Sequence, residues 1–174
     1  VSQASISQWE RDMAVPPPHI RAKLRRRMLV SPGERLRSAL RTSVVHSPNL
    51  CGLLAVREGD VVIELLSHAS YALFPLLTPA DLGQRLKGKL GPEVDSVVDR
   101  LVDEGAFTGR ISSATIASTA MRNGRSVGGV VTYTPFCQDE NGCVIRAEAR
   151  LLGPDECRPE IEQVNQLSLE DVAV

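Results

Sequence analysis

Two stretches that alternate apolar and polar side chains, 109–121 and 126–137, flank the dipeptide Asn123-Gly124. Alternation with a period of two is the pattern of a β-strand that has one buried face. Asn-Gly favours the left-handed backbone that a two-residue hairpin turn requires. A third alternating stretch, 143–152, follows after a short polar loop. These residues therefore predict a three-stranded antiparallel meander with two hairpins.

The residues before the meander predict further strands and at least one helix. Two strand-like runs, 52–57 and 61–67, lie on either side of a Glu-Gly-Asp turn. Residues 91–105 are the clearest helix, because their apolar side chains recur at helical spacing. That apolar stripe consists of Val94, Val97, Val98, Leu101 and Val102. A threonine cap and a proline predict another helix over 78–90, and the tail has at most a short helix over 158–166.

Positive charge is concentrated at the N-terminal end of the chain. Residues 1–50 hold nine Lys and Arg against three Asp and Glu, whereas the remaining residues hold eleven against eighteen. Two short amphipathic helices are expected in this basic part, over 18–29 and 34–45, with proline-containing breaks around them. A segment of this charge suits a polyanionic partner, although a solvated basic helix face would have the same composition.

The change in character between residues 42 and 50 predicts two modules and a tail. We expect a basic helical segment over 1–45, an α+β domain over 50–152 and an acidic tail over 153–174.

The chain is 43% hydrophobic and 24% charged, which is ordinary for a soluble globular protein. No apolar run is long enough to span a bilayer, and the first residues do not form a signal peptide. Four cysteines without such a signal argue against a disulfide framework, so a cytoplasmic protein with no membrane partner is expected.

The first residues, VSQASISQWERDMAVPPPHIRAKLRRRM, resemble the second half of a Cro/lambda-repressor (XRE) type helix-turn-helix. The match includes Val1-Ser2-Gln3, Ile6-Ser7, Trp9-Glu10 and Pro16-Pro17. It implies that the chain begins at the recognition helix and that the first two helices of the motif lie outside it. It also implies a homodimer that binds a double-stranded DNA operator, with half-sites about one helical turn apart.

The same resemblance implies which side chains would contact DNA. The N-terminal residues of a recognition helix read base edges in the major groove, where glutamine can pair with adenine and alanine can touch a thymine methyl. The positions matched to base edges are Gln3, Ala4 and Gln8. The positions matched to phosphate contacts are Ser2, Ser7, Arg11 and Lys23. Phosphate contacts position the protein without specifying sequence.

The order of elements over 50–152 resembles that of a PAS (Per-Arnt-Sim) sensory domain. In such a domain, strands, helices and a three-stranded meander form an antiparallel sheet with helices packed on one face. The resemblance is one of topology and implies a module that senses a small-molecule or protein signal, or that dimerises. The resemblance does not identify a cofactor, which stays unknown. A generic α+β ligand-binding or dimerisation domain is the alternative.

Two sets of residues are candidates for sensing. A pocket for a small apolar molecule is expected between the helix stripe and the sheet, with Val98 and Leu101 in its wall. His68, near Tyr71, is a candidate haem ligand, although a lone histidine also serves as a hydrogen-bonded structural residue. Cys137 and Cys143 flank a turn and could face each other as a redox pair, or could be small hydrophobic residues that end two strands.

Catalysis finds little support in the sequence. The self-cleaving peptidase domains of lambda-repressor relatives need a serine nucleophile and a lysine base. The lysines here are Lys23, Lys87 and Lys89, none of them in the meander. There is neither a phosphate-binding loop nor histidine at metal-ligand spacing. The sequence therefore predicts a transcriptional regulator that is not an enzyme; the alternative is a protein-interaction module, such as an antitoxin or anti-regulator, whose second domain binds a protein partner.

Overall fold

The computed structural model describes Val15 and residues 17–28, 32–138, 142–153 and 162–166. The chain divides into two compact units, Val1–Ser38 and Ala39–Val174. The first contains helix α1, Pro18–Met28, and the start of helix α2, Pro32–Val45. The last turns of α2 therefore belong with the second unit.

The second unit is an α+β domain built on one antiparallel sheet of six strands in the order β2-β1-β5-β4-β3-β6. The strands are β1 Leu50–Arg57, β2 Asp60–Leu66, β3 Ile111–Arg122, β4 Arg125–Gln138, β5 Gly142–Leu151 and β6 Glu162–Gln166. Between β2 and β3 lie two helices, α3 His68–Leu73 and α4 Pro92–Asp103, and two 3-10 turns, Pro79–Asp81 and Ala106–Thr108. The predicted meander is β3, β4 and β5, and Asn123 and Gly124 form its first turn with φ of 51° and 74°.

The main core lies on the inner face of the sheet, beneath the chain that connects β2 to β3. Val94, Val97, Val98 and Leu101 of α4 are buried there. Their spacing places them on one side of the helix, as the sequence predicts. Val102, which we expected in the same stripe, is 46% exposed because it lies at the edge of that helix face.

The outer face of the sheet carries a second, smaller core. Leu40 and Val44 of α2 pack against Cys51, Leu53 and Ala55 of β1. Arg41 of the same helix forms an ion pair with Glu64 of β2. The end of α2, which precedes the expected domain, thus adds a helix on the outer face, whereas the helices within residues 50–152 pack on the inner face.

Residues 78–90 do not form the predicted helix beyond the short 3-10 turn at Pro79–Asp81. Gly83 and Gly88 have φ of 73° and 81°, a conformation that interrupts a right-handed helix. The backbone here runs along the edge of β2 instead. Ile63 N donates to Gln84 O at 3.1 Å, and Leu86 N donates to Val61 O at 2.8 Å.

On the opposite side of the sheet, the edge of β3 is also covered. The tail residues 162–166 form a strand and not a helix, and β6 pairs with β3 over Ile111–Ile116. Further along β3, Thr119 N donates to the Glu93 carboxylate at 2.9 Å, and Met121 N donates to Leu90 O at 2.7 Å. Within the described residues, no helix is long and apolar enough to cross a membrane.

Candidate ligand-binding cavity

A cavity of about 130 Å³ lies between the inner face of the sheet and the chain that covers it. Its floor comes from β1, β3, β4 and β5, with Ile63 and Leu66 of β2 at one side. Its roof is made of Ser70, Phe74, Leu77, Leu86, Leu90 and Val94. Leu77, Leu86 and Leu90 are buried although they lie in irregular structure, so the roof is a packed layer and not a loose loop.

Small side chains on the floor leave room for this cavity. Ala120 of β3 and Ala147 and Ala149 of β5 point inward at positions where larger apolar residues would fill the core. Two glycines of the floor have another explanation. A Cβ on Gly52 would lie 3.0 Å from Leu66 Cδ2, and one on Gly129 would lie 3.2 Å from Arg150 O, so a larger residue at either position would force its neighbour to shift by a few tenths of an ångström.

Two residues of the floor carry hydroxyl groups that line the cavity. Tyr133 of β4 is 6% exposed and Ser118 of β3 is 7% exposed, and both line the cavity. Burial raises the pKa of the Tyr133 phenol well above its usual range, so the group is a neutral hydrogen-bond donor at physiological pH. Because the Ser70 hydroxyl is already bonded to the backbone of Cys51, Tyr133 and Ser118 are the groups of the described lining that a bound molecule could contact by hydrogen bonds.

The serines at the roof are engaged differently. Ser67 caps α3, and its hydroxyl donates to Asn49 O at 2.8 Å. The Ser70 hydroxyl contacts the backbone of Cys51, with Oγ at 3.1 Å from Cys51 N and from Cys51 O. These bonds fix the start of α3 on β1. Ser67 and Ser70 therefore position the roof and are not open to a ligand.

An ion cluster holds the other end of the roof. The Asp81 carboxylate is 2% exposed and accepts from Thr78 N at 2.9 Å, Lys89 Nζ at 2.9 Å and Arg122 NH1 at 2.7 Å. Arg122, at the end of β3, also donates to Leu76 O at 2.7 Å. The Arg122 guanidinium, with help from Lys89 and Thr78, holds the pKa of Asp81 well below its usual range. The cluster ties the roof segment to the sheet beside Ala120.

The predicted pocket residues lie outside this cavity. His68 is exposed at the start of α3, and Tyr71 is half-buried against the main core. Val98 and Leu101 are buried in that core, but of the α4 stripe only Val94 reaches the cavity wall. The cavity is lined instead by inward residues of the strands. In the sequence, these lining residues were indicated by the Ala, Ser and Gly that recur at inward positions of the meander.

The other predicted sites are placed as follows. Cys137 and Cys143 face each other across β4 and β5 and are joined in a disulfide, with their Cα atoms 3.9 Å apart. Their role in redox sensing stays a prediction.

Of the predicted DNA contacts, Lys23 is exposed on α1. The predicted base and phosphate contacts Ser2, Gln3, Ala4, Ser7, Gln8 and Arg11 lie outside the described residues. Among the described residues, no cluster of three metal-ligating side chains occurs.

The strand order, the helices between β2 and β3 and the cavity beneath them define a PAS/LOV-like domain fold. The chain is similar in structure to the LOV protein of Rhodobacter sphaeroides, with a TM-score of 0.57 at 10% identity, covering 70% of this chain and 69% of that one. It is also similar to a light-oxygen-voltage domain studied with a flavin analogue, with a TM-score of 0.50 at 19% identity, covering 70% of this chain and 87% of that one. No protein-family model and no curated protein sequence matches the chain.

Proposed function

We propose that the PAS/LOV-like domain is a sensory domain that binds a small molecule in the cavity beneath the roof segment. The observation that carries this proposal is the cavity itself, at about 130 Å³ with Tyr133 and Ser118 on its floor. A void of this size forfeits packing energy, about 3 kcal/mol at the cost measured for residual cavities in another protein. A bound molecule would recover that energy. We propose a binding role and no catalytic one.

Flavin does not fit this cavity. Pockets for drug-sized ligands are ~300–1,000 Å³, well above the volume here. A flavin nucleotide would also bring a phosphate, and none of the described residues that line the cavity is charged. Haem does not fit either. Its propionates need cations, the described lining has no charged residue, and His68 lies outside the cavity. The sensory function proposed here therefore depends on a smaller ligand.

Ligand occupancy has a direct route to the N-terminal side of the domain. Alternate residues of β1 face the two cores: Leu54 faces the cavity, whereas Leu53 packs on the outer face against Val44 of α2. Leu53 and Val44 are both fully buried, so a shift of β1 cannot be absorbed by empty space on that side. Movement of β1 would be passed to α2, which extends back to Pro32.

We propose that the output of this movement is a change in DNA binding by a homodimer. The support for this part is the resemblance of residues 1–28 to a helix-turn-helix and the basic charge of the N-terminal part. In a protein that includes a complete helix-turn-helix, Gln3→Ala should relax base preference at one operator position, at a cost of about 1–3 kcal/mol. Lys23→Ala should weaken binding to all sequences alike. If Gln3→Ala left base preference unchanged, Gln3 would not be a base contact.

The alternative is that the domain binds a protein partner, as an antitoxin or anti-regulator does. Native mass spectrometry of the protein, purified gently from its own host, separates the two possibilities. A mass excess of small-molecule size, which Ala147→Leu removes by filling the cavity, supports the sensory function. A stoichiometric protein complex, with no small-molecule excess and no effect of Ala147→Leu, contradicts it and supports the alternative.

A further inference from the structure

We infer that the cavity takes an uncharged molecule built on a single ring, with hydrogen-bonding groups at opposite ends that contact Tyr133 and Ser118. This inference rests on the proposed sensory function and names the chemical class of its ligand. Three properties of the cavity lead to it: its volume, the absence of charge in its described lining, and the position of its two hydroxyls.

The volume limits the ligand to about one ring. An apolar cavity of roughly 150 Å³ in another protein binds benzene, and the cavity here is of similar size, at about 130 Å³. Phe74, Leu77 and Val94 of the roof and Ala147 of the floor offer apolar surface to the faces of such a ring. Fused ring systems would require the packed roof to open.

The lining excludes an ionised ligand. None of the described lining residues carries a charge or a side-chain amide. The nearest buried carboxylate, Asp81, is not part of the lining and is already bound by Arg122 and Lys89. Burying an unpaired charge in such a site is strongly unfavourable. The ligand is therefore neutral when bound.

The two hydroxyls determine where the polar groups of the ligand lie. Tyr133 is the cross-strand partner of Ala114, and Ser118 lies further along the same strand as Ala114. Their backbone positions are consequently roughly 13 Å apart at the rise of an extended strand. Val131 lies between them on the floor, and Gly129 is the cross-strand partner of Ser118. A ring substituted at opposite ends can contact residues that are separated in this way along the floor, whereas a ring with one polar group can contact only one of the two hydroxyls.

The test uses three probes of one shape: p-xylene, p-cresol and hydroquinone, the last handled under nitrogen. They have the same number of non-hydrogen atoms and carry no, one and two hydroxyls. Their dissociation constants are measured by calorimetry on the full chain and on Tyr133→Phe, Ser118→Ala and a Tyr133→Phe/Ser118→Ala double variant. Tyr71→Phe is the matched control, because Tyr71 lies outside the cavity.

We expect Tyr133→Phe to weaken p-cresol binding by about fivefold or more relative to p-xylene binding, the usual effect of one lost hydrogen bond. Hydroquinone should be affected by Tyr133→Phe and by Ser118→Ala, and Tyr71→Phe should change nothing. p-Toluate, in which a carboxylate replaces the hydroxyl of p-cresol, should bind at least about tenfold more weakly than p-cresol.

The possible results separate this inference from the proposed function. Suppose that p-xylene binds and that Ala147→Leu abolishes its binding, but that Tyr133→Phe and Ser118→Ala leave the affinities for p-cresol and hydroquinone unchanged. The ligand class is then wrong, and the cavity remains a binding site. Binding of p-toluate as tight as that of p-cresol also overturns the ligand class. If no probe binds, or if binding survives Ala147→Leu, the proposed function itself fails.

Discussion

Replacement of Asp81 by asparagine tests whether its carboxylate holds the roof of the cavity on the sheet. Removing one partner of a buried ion pair typically costs about 3–5 kcal/mol. Here Lys89 and Arg122 have side chains that are 24% and 28% exposed, so water can rehydrate them once the carboxylate is gone. The asparagine side chain can also still accept from Thr78 N. We therefore expect the lower end of the range, about 3 kcal/mol lost from the free energy of unfolding, or roughly 10 °C in Tm.

The loss should depend on pH in a definite direction. The pKa of Asp81 is lower in the folded protein than in the unfolded chain, where it is near its ordinary value. Below about pH 4 the unfolded chain therefore binds a proton that the folded protein does not. The stabilisation by this carboxylate is complete above that pH and is lost as the pH falls further. The wild type and Asp81→Asn should thus become more alike in stability as the solution is acidified.

Urea unfolding at a series of pH values, followed by circular dichroism, measures both effects. Asp99→Asn is the matched control, because the Lys87–Asp99 pair is more than half exposed on both sides. An exposed pair of this kind contributes little to stability. A difference between the wild type and Asp81→Asn that stays constant into the acid range would show that the carboxylate is not stabilised by its neighbours as described.

Four further outcomes are expected. Tyr133→Phe should change the free energy of unfolding of the ligand-free protein by less than about 1 kcal/mol in urea titrations, because the hydroxyl it removes lines the cavity and does not hold the fold together. Val44→Ala should lower it by about 2 kcal/mol in the same titrations. Gly124→Ala should cost about 1 kcal/mol in thermal unfolding, since φ is 74° there. After reduction of the protein, mild oxidation should remove two reactive thiols in the wild type but not in Cys143→Ser, whereas an unchanged count in the reduced wild type would exclude the redox pair.

The meander was predictable because its signals are local. The period of two and the Asn123-Gly124 turn lie within a few residues of one another, and no distant contact is needed to interpret them. The helix over 92–103 was predictable for the same reason, since its stripe and its ending at Gly105 are both in the sequence.

Distant contacts decided the parts that sequence reasoning missed. The proline and threonine of residues 78–90 start a turn, but the backbone that follows gains more from bonding to the edge of β2 than from a helix broken by two glycines. The tail became a strand because the edge of β3 was open to it. A pocket between the helix and the sheet was expected, but most of its lining was not, because an inward alanine such as Ala147 looks the same in a sequence whether a neighbour fills the space above it or not.

The covered edges of the sheet restrict how this domain can associate. Edge strands with unpaired amides are templates on which a second chain can add a strand. On β2 that template is occupied by Gln84 and Leu86, and on β3 it is occupied by β6 and by the carboxylate of Glu93. The strand left at that edge is β6, which is only five residues long. Among the described strands, docking of a partner or of a second copy through side chains on a face is therefore favoured over addition of a strand. Assembly of that kind can be adjusted by single surface substitutions, and it guards against the open-ended stacking of sheets that leads to fibres.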